Sequence, residues 1–277
     1  MNFLTARQRF YQEIQQPNAQ IDLAAAALYI AQEEYPALDV EAYLSALDAL
    51  AAEASDRLPA ESYPLKIIQA ISQYLFADLG FRGNQQDYYS PQNSFLNDVI
   101  DRRTGIPITL ALVYLEIAKR LNFPMVGVGM PGHFLIRPAI AEMSVFVDAF
   151  HQGEILFPED CEARLQQIYG QPVALQDEFL QPVSARAFLA RMLTNLKMIY
   201  VSCQQLEKAL SATERILLLF PDAIYQRRDR GLLYYETGQF TAACRDLAAY
   251  VESAAAAEDR PQIMRLLNRL DPDWKNR

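Results

Sequence analysis

Apolar side chains recur at three- and four-residue spacing through the first eighty residues, the period of helices that turn one face inward. Leu23, Ala27, Ile30 and Ala31 share such a face, and Asp22 stands where a helix cap belongs. The Tyr35-Pro36 step ends that helix, because the residue before a proline is pushed out of the α region. Tyr43, Leu44, Leu47 and Leu50 predict a second helix over 40–54. Pro64 opens a third, with Ile67, Ile68, Ile71, Leu75 and Leu79 on one face and Gly80 as its terminator. Residues 81–107 are polar and turn-rich. The stretch 108–121 differs: it is apolar on nearly every side until Glu116, Lys119 and Arg120, the pattern of a helix buried at the centre of a domain. Asn122 to Pro124 breaks it.

Beyond that break the period becomes two. Residues 125–128 read as a strand, Gly129-Met130-Pro131-Gly132 as a turn, and 133–137 and 144–150 as two further strands. Helices followed by an antiparallel meander predict an α+β domain, predominantly helical with a small sheet, rather than a doubly wound one. Pro158, Pro172 and Pro182 punctuate the next section, and the domain joint is expected near residue 180. From Ser184, a good N-cap, the chain reads as helix to nearly its end. Within 181–277 an offset of 34 residues brings Tyr200 onto Tyr234, Ala209 onto Ala243 and Lys197 onto Gly231. That is the tetratricopeptide (TPR) period, and small residues such as Ala209 and Ala243 let paired helices approach closely. A last helix over 261–270 would cap the stack. Two units are too few for a free-standing solenoid, so they are expected to lean on the first domain.

Composition narrows the function. Of 277 residues 51% are hydrophobic and 21% charged, enough apolar material for a sizeable core. The formal net charge of −9, with no Lys/Arg-rich run, argues against nucleic acid as a partner. No uncharged apolar run reaches the roughly 18 residues that a spanning helix needs, so no integral membrane segment is expected. Cys161, Cys203 and Cys244 are few, odd in number and widely spaced, which fits neither a disulfide framework nor a zinc pattern. A reducing cytoplasm accommodates all of this, and no cofactor is expected.

The candidate chemistry centres on two histidines, His133 and His151. His133 opens one predicted strand and Asp148 lies near the end of its neighbour, so the two side chains can meet on one face. A carboxylate on an imidazole orients a catalytic histidine and stabilises its charged form. The bland alternative is a structural hydrogen bond between strands. His151 reads as an exposed loop residue, and a metal site built on His133, Asp148 and His151 is not expected.

The order of buried helix, strand, Gly-His turn and strand ending in Asp resembles the transglutaminase-like (papain-type) core. Arg103-Thr104-Gly105-Ile106-Pro107-Ile108-Thr109-Leu110, then Pro131-Gly132-His133-Phe134-Leu135 and Val147-Asp148-Ala149-Phe150, are similar to the bacterial SirB-type family. Its members join a transglutaminase-like domain to tetratricopeptide repeats. Thiol enzymes with this core carry their nucleophile at the start of the buried helix, where the helix N-terminus lowers the thiol pKa. Here Pro107 and Ile108 hold that place, and all three cysteines follow His133. Thr109 and Ser94 are the closest hydroxyls, but a buried threonine usually satisfies itself on a backbone carbonyl. Asn93, Asn97 and Arg103 either frame the same cleft with Pro107 and Thr109 or serve as loop caps and a solvated charge. The expectation is a non-catalytic interaction, assembly or regulatory protein whose protein partners the sequence does not name. The alternative is a hydrolase or acyl transferase using His133 and Asp148 with a non-cysteine nucleophile or water.

Overall fold

The computed structural model of the chain describes residues 3–58, 63–140, 143–272 and 274. Met1 and Asn2, at the head of the charged N-terminal stretch, lie outside the described residues. The chain forms two compact units, Met1–Leu189 and Ala190–Arg277.

The first unit is helices wrapped round one helix and flanked by a sheet. Helix α1 (Phe3–Ile14) precedes α2 (Leu23–Glu34), whose N-cap Asp22 accepts from the Ala25 N–H at 2.9 Å. Helix α3 (Val40–Ser55) follows, then α4 (Pro64–Ser72), which opens with proline at its first position. α4 does not stay regular: Gln73–Asp78 widens into a π-helical segment that ends at Gly80, in the left-handed region at φ 77°. Inside the turn-rich region lie two short parallel strands, β1 (Arg82–Gly83) and β2 (Thr104–Gly105), and helix α5 (Leu96–Arg102).

Helix α6 (Pro107–Arg120) is the hub. Every residue from Pro107 to Ala118 is buried, as its all-round apolar pattern requires. Its one buried acid, Glu116, is paired with Arg120, which also donates to Asp48 at 2.6 Å. The meander then runs through β3 (Met125–Val128), β4 (Leu135–Pro138), β5 (Phe146–Asp148) and β6 (Glu154–Leu156), antiparallel and in sequence order. It has one strand more than the sequence pattern indicated. Helix α7 (Pro158–Tyr169) lies in the proline-punctuated section. Pro158 starts it rather than breaking the chain, because proline suits a first helical turn.

Helix α8 (Ala185–Ser202) starts just after Ser184, whose Oγ accepts from the Ala187 N–H at 3.2 Å. In the second unit α9 (Leu206–Leu219), α10 (Ile224–Glu236), α11 (Phe240–Ser253) and α12 (Arg260–Leu270) complete the helical array. The repeat is visible in the backbone. Gln204 and Gly238, one period apart, both turn in the left-handed region, at φ 58° and 76°. Ala209 and Ala243 are both fully buried. At Gly231 an added Cβ would stand 2.8 Å from the Leu247 side chain, so only glycine allows α10 and α11 this approach. The equivalent Lys197 is buried, and its ammonium is held by Asp229 and Gln226 at 2.8 Å each.

Candidate functional site

A tight turn delivers His133. Gly132 sits at φ 72°, and the His133 N–H donates to the Met130 carbonyl at 3.1 Å. The imidazole therefore enters the fold just ahead of β4, and His133 is buried. Asp148 closes β5 and is completely buried. Its Oδ1 accepts from the Phe150 and His151 N–H groups at 3.1 and 3.2 Å, which winds Ala149–His151 into a 3₁₀ turn. That cap aims Oδ2 at the imidazoles: His133 Nε2 donates to it at 2.7 Å and His151 Nδ1 at 2.8 Å. Arg164 of α7 adds its Nη1 at 3.3 Å from Oδ2 and ties its Nη2 to Glu154 at 2.7 Å.

Burial alone would raise the Asp148 carboxyl; the hydrogen bonds and charges of His133 and His151 outweigh it and hold the group well below the usual carboxylate range. With Nε2 donating to Asp148, the basic nitrogen of a neutral His133 ring is Nδ1. His151 Nδ1 donates to Asp148, and Arg164 Nη1 lies against the same ring, 2.5 Å from Nδ1 and 3.0 Å from Nε2. Phe150 walls the cluster, its ring edge-on to His133 at 6.2 Å and to Tyr88 at 5.9 Å.

The ligating atoms of His133, Asp148 and His151 lie within 4.8 Å of one another. A guanidinium, however, already stands at this carboxylate. A divalent ion would have to displace Arg164 or share the site with it, so the arrangement fits a hydrogen-bonded charge network better than a metal centre. His151 differs from its reading as an exposed loop residue, because the Asp148 cap folds its ring back onto the cluster.

The other residues singled out gather mostly at the first turn of α6. Thr109 Oγ1 donates to the Asn93 carbonyl at 2.7 Å and accepts from the Ile106 N–H at 3.1 Å, so this hydroxyl is spent on structure. Asn93, fully buried, donates to the Asp87 and Tyr88 carbonyls at 2.6 and 3.1 Å and so shapes the loop that carries Tyr88 to Phe150. Arg103 adopts φ 53° at the end of α5 and donates to the Leu79 carbonyl at 2.7 Å, a capping role. Asn97 and Ser94 are buried, and Asn97 Oδ1 and Ser94 Oγ have no hydrogen-bond partner among the described residues. Pro107 is the first residue of α6, beside Ile108.

Cys161 lies on α7, fully buried among Val128, Met130, Leu135, Phe146, Leu156 and Leu165. Burial, followed by the nearby Asp160 and Asp148 charges, pushes its thiol up to about 12. Cys203 is exposed and Cys244 half-buried, both in the second unit. Sequence reasoning missed Arg164, because α7 itself was not predicted. The available signal was Pro158 followed by Glu159 and Asp160, a helix start.

Fold and site define a transglutaminase-like domain joined to tetratricopeptide helices. Residues 41–194 match the transglutaminase-like superfamily, and residues 196–268 match the tetratricopeptide repeat. The chain is 37% identical over 241 residues to a UPF0162 protein of Xylella fastidiosa strain 9a5c, covering 84% of each chain. It belongs, within that superfamily, to the UPF0162 proteins. A UPF0162 protein of Vibrio cholerae is 29% identical over 185 residues, 66% of this chain and 68% of that one. Human F-box only protein 21 is 32% identical over 187 residues, 62% of this chain but 28% of that longer one. No solved structure matches the chain.

Proposed function

We propose that the chain is a protein-interaction component, an adaptor, assembly factor or regulator acting in the cytoplasm, whose transglutaminase-like domain works without thiol chemistry. One observation carries this reading: the first turn of α6 holds Pro107, Ile108 and a structurally committed Thr109 where a nucleophile would stand. The buried, proton-holding thiol of Cys161 supports it, as do the tetratricopeptide helices. The shared order of domains supports the SirB-type resemblance, and the recurrence of the domain inside a longer F-box protein supports reading it as a module. This reading predicts no turnover of peptide, ester or isopeptide substrates that depends on His133. Electrophilic thiol probes at neutral pH are expected to label Cys203 first and to leave Cys161 unlabelled in the folded chain. Turnover lost in a folded His133→Ala variant would overturn the reading.

A second reading rests on the buried 2.7 Å contact of His133 with an ionised Asp148. That pair is equipped to accept a proton from water, in the manner of a hydrolase or acyl transferase. The same His133→Ala comparison separates the two.

A further inference from the structure

Strand β3 stands at the end of the four-stranded sheet, so only β4 pairs with it there. The direction of its backbone groups follows from its neighbours. Ala139 N–H donates to the Pro124 carbonyl at 2.9 Å, which points Pro124 towards the β4 side. Alternation then turns the N–H and C=O of Met125 outward. The register agrees, since Met125 faces Pro138, which has no N–H to exchange. Gly127 also faces outward: its carbonyl accepts from the Val183 N–H at 2.9 Å, and Val128 bridges Pro182 in antiparallel fashion. The chain's own 182–183 segment thus adds to the far half of this edge. Among the described residues nothing hydrogen-bonds the outward N–H and C=O of Met125 or the N–H of Gly127.

Beside these groups lies a cavity of about 550 Å³, walled by Met125 and Val126 of β3, Leu115 and Glu116 of α6, Leu23 of α2 and Phe188 of α8. Its volume is that of a ligand pocket, and a helix set against an open strand edge is the geometry of strand addition. The wall is largely apolar. Glu116, its buried acid, is already paired with Arg120 and faces Lys119 at 3.9 Å. The charged side chains lining it are Glu116 and Lys119, and the first unit as a whole carries 23 acidic side chains against 12 basic ones, a long-range field that attracts a basic partner.

We propose that this edge and groove receive an extended, basic segment of another protein as an added strand, with alternate apolar side chains seated in the cavity. The idea rests on the reading of the chain as an interaction protein and gives that reading a surface in its first unit. The test is selection of a displayed library of short random peptides on the full chain, then hydrogen exchange of the chain with an enriched peptide. Enriched peptides are expected to be basic and to alternate apolar with polar residues, and to slow exchange in the segment containing Met125–Gly127. Met125→Pro removes an outward N–H that β4 does not use, and is expected to weaken the peptide about tenfold. Should that variant fail to fold, Ala185→Lys, which sets bulk and a positive charge into the same groove, is expected to produce a comparable loss. Peptides that protect only residues 190–277, or that bind both folded variants unchanged, overturn the edge and leave the interaction reading standing. A library without any binder overturns both.

Discussion

Asp148→Ala is expected to destabilise the first unit by about 3–5 kcal/mol, the cost of removing one partner from a buried charge network. The carboxylate is completely buried and serves five groups: two backbone N–H groups at Oδ1, and His133, His151 and Arg164 at Oδ2. Its removal takes the acceptor from the buried His133 Nε2–H, leaves Arg164 with Glu154 as its carboxylate, and unwinds the cap that holds His151. Urea denaturation followed by a probe in the first unit measures the loss; a cost below about 1 kcal/mol would show that the network is incidental. The pH dependence has a definite sign. The native carboxyl titrates below its unfolded range, so its contribution is complete above that range and is lost as the pH falls through and below about 4. Asp148→Asn should therefore be less stable than the wild type at neutral pH, and its stability should fall less steeply on acidification.

Much of this was legible in the chain. Helix α3 announced itself because its burial follows a single period, α2 and α6 because their runs are apolar nearly all round, and Asp22 and Pro107 mark starts by chemistry that needs no tertiary context. The His133–Asp148 contact was readable because both lie next to strands whose alternation fixes their faces. What escaped depends on partners distant in sequence. Helix α1 is rich in polar residues. β6 is three residues long and exists through its pairing with β5. The π-helical widening of α4 leaves no mark on periodicity. His151 could not be placed without knowing that Asp148 caps its own following turn, nor Arg164 without α7.

Gly153→Ala is expected to cost about 3 kcal/mol, with strain and crowding contributing together. Gly153 follows His151 and Gln152 at the end of the turn that Asp148 caps, and its N–H donates to the Asp148 carbonyl at 2.9 Å. It lies at φ 75°, where a side chain is strained, and an added Cβ would stand 2.4 Å from Ser72 Oγ, 2.7 Å from Ser72 Cβ and 2.9 Å from the Phe76 ring. Neither neighbour moves cheaply. Ser72 ends α4 and contacts the Tyr114 hydroxyl at 3.3 Å, and Phe76 stacks on Tyr114, itself buried within α6. The turn behind the histidine cluster is therefore seated on the α4 side of the central helix through a glycine that leaves no room for a methyl group. Gly170→Ala supplies the control: φ is 64° there, but an added Cβ meets nothing within 4 Å, so that change should cost only about 1 kcal/mol. Urea denaturation of the two variants side by side measures the difference. Equal losses would mean that Gly153 matters for its backbone angle alone and that the turn carrying His151 is not fixed by its contact with Ser72.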